Sequence, residues 1–507
     1  MTKDNIYIGA EAREGIIRGI KRCADAVGGT MGTGGNNAIL ECIEYPGQYT
    51  TNDGATILES IRFADPLEDM GRNILLEAVK RANRQSGDGS STTTVLTAAI
   101  IQEGIKHLND ASPMTIKRSL EACIPVLEKA INDQKKEITV DDVAQVATIS
   151  AEDESIGAMI QKIYQEIGKD GIIHWDIAKG FEDYYTIGKG ITIDQCGFAS
   201  PHMADLDEKT GSFLNHAKWK NAHILITKQK ITSASDLSAL FETMFNKEIK
   251  EVVVFCDEFE ANVVMDLILT RVKRGFRTVL VKMPVIWKDH WFTDLAKVTG
   301  ATVIDPAAGI TFKTMNMSHL GKVDHITVTK DTVFIDGMKD ITEHIEQLKE
   351  LGDDDSLLRV SRLNTQTARY FVGAASDGAL AYRRLKVEDA INAAYQALQF
   401  GVVAGGGVAL RDARASLGDD VGSNILIASL TAPYYKIIDN SGFKLDETIL
   451  DRSLGINSRT GEIVNMFDAG IVDPSQVVIN AARNAISVAA SVLTCGTIVL
   501  LPKEQTK

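Results

Sequence analysis

The feature that most constrains the fold of this chain is a change of hydrophobic periodicity along its length. Apolar residues recur at helical spacing in residues 11–27, 67–85 and 114–132, and the same spacing returns in residues 387–400 and 476–494. Between these regions, short apolar runs alternate with helical segments. This order predicts a helical domain built from both ends of the chain, with an α/β domain inserted into it.

The inserted region has the pattern of a β–α–β–α domain. Its short apolar runs are residues 222–227, 251–256, 278–281 and 301–304. The helical segments that separate them are residues 234–245, 259–274 and 291–299. Strands that alternate with helices in this way predict a largely parallel sheet. Nearer the N-terminus, two short alternating segments around residues 38–40 and 49–51 predict a β-hairpin.

Composition limits the function classes. The 507 residues suggest about three domains. The formal net charge of −14 disfavours nonspecific binding to nucleic acid or to anionic membranes. The six cysteines contain no CxxC pair, which is typical of isolated reduced thiols in a cytosolic protein. The N-terminal residues lack the apolar stretch of a signal peptide, and no uncharged run reaches the ~18 residues of a membrane helix. We therefore expect a cytoplasmic protein without a nucleic-acid or membrane partner.

The strongest local signal is the segment GDGSSTTT at residues 87–94, which lies between two helical patterns. The free N–H groups and the positive dipole end at the start of the second helix favour a phosphate. Asp88 offers the oxygen ligand that Mg²⁺ prefers. A helix cap is the alternative, because Ser and Thr are common caps. A cap needs one hydroxyl and this segment offers five, so we favour a ligand site.

Two further glycine-rich segments and three carboxylates are less specific. Residues 30–37 (TMGTGGNN) are not a Walker A loop, because no GK[ST] follows, and they are typical of a plain loop as well. Residues 402–407 (VVAGGG) allow close approach to a ribose or phosphate, or simply end a helix. Each carboxylate, taken alone, has an ordinary structural interpretation. Asp53 is typical of a turn, Asp389 of a solvated helix face, and Asp473 of a turn or a cap.

Five segments, taken in order, resemble the group I chaperonin family, the GroEL-like chaperonins, along nearly the whole chain. They are GDGSSTTTVL (87–96), ATISA (147–151), VEDA (387–390), GVVAGGGVAL (401–410) and NMFDAGIVDPSQV (465–477). The resemblance implies a multidomain α and α/β fold with a mostly helical equatorial domain, a small intermediate hinge domain and an inserted α/β apical domain. The implied boundaries are 1–135 and 400–507 (equatorial), 136–188 and 369–399 (intermediate) and 189–368 (apical).

The same resemblance implies an ATPase site. Asp389 would orient the attacking water with assistance from Asp53, and Asp88 would bind Mg²⁺. This set suits phosphoryl transfer, because that reaction depends on positioning and charge neutralisation. The residues that the resemblance implies for nucleotide binding are Thr30, Met31, Gly32, Thr33, Asn52, Gly87, Asp88, Gly89, Ser90, Ser91, Thr92, Ile149, Ser150, Gly405, Gly406, Asn457, Ser458 and Asp473.

The chain also departs from the family pattern, as a divergent member would. The first loop usually reads TLGPKGRN, and here residues 30–37 read TMGTGGNN, without the two basic residues and the proline. The lysine that usually precedes the catalytic-site aspartate is Asn52. Three cationic side chains near the nucleotide are therefore missing. We expect the affinity for ATP, or a dependence on K⁺ as a candidate second ion, to differ.

The segment 259–274 carries more apolar surface than one buried face needs. Its apolar residues spread over about 240° of a helix, and a core-facing stripe needs little more than about 100°. The helix is either buried between the sheet and its neighbours or part of an exposed groove that marks a binding site. The residues that the resemblance implies for client binding are Phe198, His202, Met203, Leu237, Leu240, Val264, Ile268 and Leu269.

These features favour an ATP-driven folding chaperone that captures non-native proteins on an apolar apical surface. The resemblance implies a homo-oligomer of seven-subunit rings, single or double, with a co-chaperonin lid as a candidate partner. It also implies a bacterial cytoplasm, with a virus that infects the bacterium as a candidate source. Two alternatives are a holdase with weak ATPase activity, which the missing cations suggest, and an ATP-dependent enzyme acting on a small molecule.

Overall fold

The computed structural model divides the chain into two compact units. Unit 1 comprises Met1–Lys169, Ile173–Tyr185 and Tyr370–Lys507, and unit 2 comprises Asp170–Ile172 and Thr186–Arg369. Both ends of the chain thus form one unit and the middle forms the other, as the periodicity predicts. The five domain boundaries given above stay predictions. The structure describes residues 6–41, 48–178, 180–206, 212–284, 288–337, 339–351, 353–363, 366–443 and 451–500.

Helices account for most of unit 1 and alternate with strands in unit 2. In chain order they are α1 Ala10–Gly28, α2 Gly54–Ser60, α3 Pro66–Ser86, α4 Ser90–Lys106, α5 Pro113–Asn132, α6 Val143–Ala151, α7 Glu154–Ile167, α8 Ser238–Asn246, α9 Ala261–Arg274, α10 Lys288–Thr299, α11 Thr342–Leu351, α12 Asp354–Leu363, α13 Asp377–Phe400, α14 Val408–Ala413, α15 Val421–Ser429, α16 Ala432–Asn440 and α17 Ser475–Leu493.

The strands of unit 2 are longer than most strands of unit 1. In chain order the strands are β1 Ile6–Ile8, β2 Ala38–Glu41, β3 Gln48–Thr51, β4 Ile172–Ile177, β5 Tyr184–Asp194, β6 His216–Thr227, β7 Glu251–Cys256, β8 Arg277–Lys282, β9 Gly321–Thr329, β10 Thr332–Asp336, β11 Gln366–Val372, β12 Val402–Ala404, β13 Leu454–Ile456, β14 Ile463–Asn465, β15 Val472–Pro474 and β16 Thr497–Val499. The predicted hairpin is confirmed, because β2 and β3 pair antiparallel.

The core of unit 1 is built around α17, which packs against α3, α4 and α5. This helix is long and apolar enough to cross a membrane, but 72% of its most apolar window is buried inside the protein. It is therefore a core helix. Beside it, α1 packs on α3 at close range, since a Cβ at Gly19 would lie 2.1 Å from the Glu68 carbonyl oxygen and one at Gly71 would lie 2.2 Å from that of Ile16. Only glycine fits at these two positions.

The sheet of unit 2 is mixed. Strands β6, β7 and β8 run parallel, and they are the three strands that the β–α–β–α pattern predicts correctly. Strands β5, β10, β9 and β6 pair antiparallel, so the expectation of a largely parallel sheet holds for β6, β7 and β8 of the eight strands but not for these antiparallel pairs. The predicted strand at residues 301–304 is wrong, because Ile304 makes only an isolated bridge to Thr227. The run of fully buried residues in β7 is typical of a strand covered on both faces.

Candidate nucleotide-binding site

Unit 1 contains a cavity of about 530 Å³ whose lining comes from distant parts of the chain. The start of α4, the loop after α1, helices α6 and α13, and the segments before α14 and α17 all contribute to it. The residues predicted from the sequence that line it are Thr30, Met31, Gly32, Thr33, Asn52, Asp53, Asp88, Ser90, Ser91, Thr92, Ile149, Ser150, Asp389, Gly406, Asn457, Ser458 and Asp473. The structure therefore brings together most of the predicted set.

Three glycines of the predicted set, Gly87, Gly89 and Gly405, lie outside the lining of the cavity, and their contact with a nucleotide stays a prediction. Gly87 and Gly89 have positive φ angles, at the end of α3 and the start of α4. The N–H of Gly405 donates to the carbonyl of Ile471 at 2.9 Å. These glycines shape the backbone of the site, because positive φ and close approach both favour residues without a Cβ.

The run of five hydroxyls divides into two groups. Ser90, Ser91 and Thr92 line the cavity at the N-terminus of α4. Thr93 and Thr94 are buried, and each hydroxyl donates to a carbonyl one turn back at 2.9 Å. Three hydroxyls, together with the positive end of the helix dipole, are thus directed to the cavity, and this arrangement suits a phosphate.

The loop after α1 is held by Asn440, which the sequence did not single out, and by a contact between two predicted residues. The Asn440 side-chain amide donates to the carbonyls of Gly28 (2.8 Å) and Met31 (2.9 Å). The hydroxyls of Thr33 and Ser458 lie 2.8 Å apart, so two segments far apart in sequence meet at one side of the cavity. No local pattern marks Asn440, because it lies at the end of an ordinary short helix.

Asp53 serves as a helix cap and also lines the cavity. Its two carboxylate oxygens accept the N–H groups of Ala55 (3.3 Å) and Thr56 (2.8 Å) at the start of α2. The Thr56 hydroxyl donates to the same carboxylate at 2.5 Å. The expected turn at Asp53 is thus a helix cap, and its assisting role in catalysis stays a prediction. The cap fixes the carboxylate in one orientation at the wall of the cavity.

Three carboxylates of the cavity have raised pKa values. Burial, and then repulsion from Asp88 and Asp53, raise the pKa of Asp389 well above its ordinary value. Burial also raises the pKa of Asp88, against the effect of the Gly89 N–H. Burial, and then Asp88, raise the pKa of Asp473 to about 7, against a hydrogen bond from Gly406. Acids arranged in this way favour a cation among them.

Lys386 and Glu152 are the main functional residues that the sequence analysis missed. The Lys386 ammonium lies 2.9 Å from a Glu152 carboxylate oxygen, and both residues line the cavity. The Asn52 amide donates to the same oxygen at 3.1 Å. The signal was present in the sequence, because Lys386 precedes Asp389 by three residues and this spacing places both on one face of α13.

The residues present fit a magnesium nucleotide. Ser150 Oγ is shielded from solvent, lines the cavity and has no hydrogen-bond partner among the described residues, so a ligand can satisfy it. Nowhere in the described part of the chain do three His, Cys, Asp or Glu side chains converge as a metal site. Mg²⁺ commonly binds one or two carboxylates together with substrate phosphates. Asp88, beside the hydroxyls of α4, is placed to provide such a carboxylate.

The predicted client-binding residues of unit 2 fall into two groups. Four of them are buried in its hydrophobic core, namely Phe198, Met203, Leu237 and Leu240. These four are corrected to core residues. The physical reason is that their side chains pack beneath the surface helices, where an apolar side chain is most stable. His202 is exposed, and its ring stacks edge-on against Phe213 at 5.0 Å between centroids.

Helix α9 is amphipathic and also carries an exposed apolar stripe. Val264 and Ile268 are half-buried and pack against the core. Met265, Leu269 and Val272 are 60%, 42% and 77% exposed and follow one another at helical spacing. Both alternatives for this helix are therefore partly right, since one side packs on the sheet and an adjacent side is open. Leu269 is the predicted residue that lies fully on the open side.

Comparison with known proteins agrees with this architecture. The chaperonin gp146 from the bacteriophage EL 2 (Pseudomonas aeruginosa), crystallised in the presence of ATP-BeFx, matches with a TM-score of 0.72 and 19% identity. The match covers 98% of this chain and 99% of that one. A second crystal form of the same protein matches with a TM-score of 0.67 and 19% identity, over 99% and 100% of the two chains. At this identity the likeness establishes the fold.

A helical unit made of both chain ends, with an inserted α/β unit, is thus the chaperonin fold. The family model of the TCP-1/cpn60 chaperonins matches residues 23–503. The chain belongs to the TCP-1/cpn60 chaperonin family.

Proposed function

We propose that this protein is an ATP-dependent folding chaperone of the group I, GroEL-like type. The observation that carries the proposal is the acidic cavity of unit 1, in which Asp389, Asp88 and Asp53 meet the hydroxyls at the start of α4. A chaperonin that uses ATP needs one site for phosphates, one for a divalent cation and one carboxylate for the attacking water. The cavity offers a residue for each of these roles.

The chemistry of the site follows from the positions of its residues. The N–H groups at the start of α4 and the hydroxyls of Ser90, Ser91 and Thr92 hold phosphate oxygens. Asp88 would hold a magnesium ion, which would neutralise charge on the phosphates. Asp389 orients the attacking water, and its raised pKa suits a group that accepts a proton. Potassium is a candidate second ion, and Asn457, Ser458 and Asp473 hold the base and ribose.

The exposed stripe of α9 is the proposed capture surface for non-native proteins. Met265, Leu269 and Val272 present apolar side chains to solvent, and the ring of Phe213 is exposed as well. The Arg271 guanidinium donates to the backbone carbonyl of Ala204 at 2.7 Å and so ties the segment that precedes β6 to this helix. A contiguous apolar patch of this kind marks a protein-binding surface.

Ring assembly is proposed from two small sheets of unit 1. Strands β1 and β16 form one two-stranded sheet, and β2 and β3 form another. Ile6, Ile8 and Val499 are exposed on the first and Ile39 on the second. An isolated two-stranded sheet is marginally stable in water, and an exposed apolar edge tends to pair with another chain. Pairing of one sheet with the other sheet of the next subunit is head-to-tail, and such an interface gives a ring when the rotation between subunits closes.

The remaining properties rest on the resemblance to the family. We propose seven-subunit rings, single or double, that act in the bacterial cytoplasm on unfolded or misfolded client proteins. A co-chaperonin lid is a candidate partner, and a virus of that bacterium is a candidate source. Negative-stain electron microscopy tests the assembly directly, since seven-fold rings support it and a monomer of otherwise active protein contradicts it.

A holdase with weak ATPase activity is the second candidate, and one observation favours it. In place of a lysine, Asn52 lies in the cavity wall and its amide contacts Glu152. Asp389→Ala separates the two functions. For the folding ATPase we expect the variant to bind ATP and to lose about 10²-fold or more in turnover. Near-normal turnover in Asp389→Ala, or a wild-type protein without turnover in Mg²⁺ and K⁺, would contradict the proposal.

A further inference from the structure

Lys386 is a nearly buried lysine inside the proposed nucleotide cavity. Its side chain is 10% exposed, and its ammonium pairs with Glu152 at 2.9 Å. It lies on α13, three residues before Asp389, so the helix places both on the same face. Glu152 ends α6 with a φ of 58°, a left-handed conformation that non-glycine residues adopt rarely. A lysine is seldom held so far from water without a partner.

Acidic residues outnumber basic residues in the lining of the cavity, and Lys386 is one of the two described bases. Among the described lining residues, the acids are Asp53, Asp88, Glu152, Asp389 and Asp473, and the bases are Lys386 and Arg459. Arg459 is exposed, on the segment beside Asn457. Lys386 instead lowers the pKa of both Asp88 and Asp389. Its positive charge therefore acts where the cation site and the attacking water are proposed to be.

Asn52 and Lys386 converge on one atom. Both donate to the same carboxylate oxygen of Glu152, at 3.1 Å and 2.9 Å. The two side chains enter the cavity from different elements, the segment after β3 and helix α13. A longer, positively charged side chain at residue 52 can therefore place its charge close to the present position of the Lys386 ammonium.

We infer that Lys386 contacts the terminal phosphate of the bound nucleotide, and that Glu152 holds its ammonium when no nucleotide is present. This inference rests on the proposed ATP site. The flexible lysine side chain carries a compact charge that can exchange a carboxylate for a phosphate oxygen. A contact to the terminal phosphate distinguishes a nucleoside triphosphate from a diphosphate. A cation fixed elsewhere in the cavity does not make this distinction.

The test compares the affinities for Mg-ADP and for a non-hydrolysable Mg-ATP analogue by calorimetry. In Lys386→Met the preference for the triphosphate should fall by about 10- to 100-fold, the size of one charge-assisted hydrogen bond. Adding Asn52→Lys to that variant should restore much of the preference. Lys386→Gln serves in the same design if Lys386→Met does not fold.

A purely structural ion pair between α6 and α13 gives a different result. The melting temperature then falls, both nucleotides lose affinity equally, and Asn52→Lys restores nothing; this result would overturn the inference. Lys80→Met is the matched control, because Lys80 pairs with Glu59 at 2.7 Å outside the cavity. If Lys80→Met changes the preference for the triphosphate by the same factor, the effect is one of net charge, and this result would also overturn the inference. A wild-type protein that binds neither nucleotide would refute the proposed function itself.

Discussion

Two leucines of α9 allow a matched test of the proposed capture surface. Leu267 is 1% exposed and belongs to the core of unit 2, whereas Leu269, two residues later, is 42% exposed. Replacing a buried leucine by alanine removes transfer free energy and leaves a cavity, so Leu267→Ala should lower the free energy of unfolding by about 3 kcal/mol. Leu269→Ala leaves no enclosed cavity, and we expect a loss below about 1 kcal/mol.

The two variants should also separate in function. Leu269→Ala should weaken the capture of a chemically unfolded client, and the defect compounds in a ring because each subunit presents it. ATP turnover should stay at the wild-type level, since α9 lies outside unit 1. Thermal unfolding and a co-sedimentation assay with labelled client measure the two effects. Equal destabilisation by both variants would refute the burial argument, and unchanged capture in Leu269→Ala would refute the assignment of this surface.

Three further predictions concern charged groups. Asp88→Ala should lose Mg²⁺-dependent nucleotide binding, and tight Mg-ATP binding in calorimetry would show that the metal is held elsewhere. Asp473 has a folded-state pKa of about 7 against an ordinary 3.8, so its ionisation lowers the stability of the nucleotide-free protein as pH rises from about 4 to about 7. Asp473→Asn should therefore be more stable than wild type at pH 8, by at most about 4 kcal/mol, and no more stable at pH 4. Thermal unfolding at the two pH values checks this. Arg359→Met should destabilise unit 2 by about 3 kcal/mol, because it leaves the buried Asp294 without its paired guanidinium, and an unchanged denaturant midpoint would contradict this.

The helical parts of the fold were predictable because their periodicity is local. The pattern at residues 114–132 predicts α5 to within one residue, and the GDGSSTTT segment locates the start of α4. The sheet was harder. Strand β6 begins at His216, where polar and apolar residues mix, and its antiparallel partner β9 lies about a hundred residues further on. Such pairing depends on tertiary contacts, which local propensity does not encode.

The candidate site was predictable where motifs carry it and not where tertiary structure does. Glycine and hydroxyl patterns point to the proposed phosphate-binding segment, but they do not show that the Thr93 and Thr94 hydroxyls donate to carbonyls of their own helix. The sequence does not mark Lys386 as a site residue, because most lysines on helices are solvated. Leu237 and Leu240 were assigned to the capture surface from the resemblance alone, and burial in the three-dimensional core decides against them.

The proposed nucleotide cavity and the exposed stripe of α9 both carry groups in environments that destabilise the folded chain. The unfavourable groups are buried carboxylates in the first and exposed apolar side chains in the second. In unit 1, burial raises the pKa values of Asp88, Asp389 and Asp473, and the charge of Asp88 adds to the shift of the other two; a nearby cation relieves this cost. In unit 2, α9 leaves large apolar side chains in water, which only another apolar surface relieves. Local violations of this kind concentrate at functional sites. The chemistry that would relieve each one is the ligand class proposed for it: a metal nucleotide for the first and an unfolded polypeptide for the second.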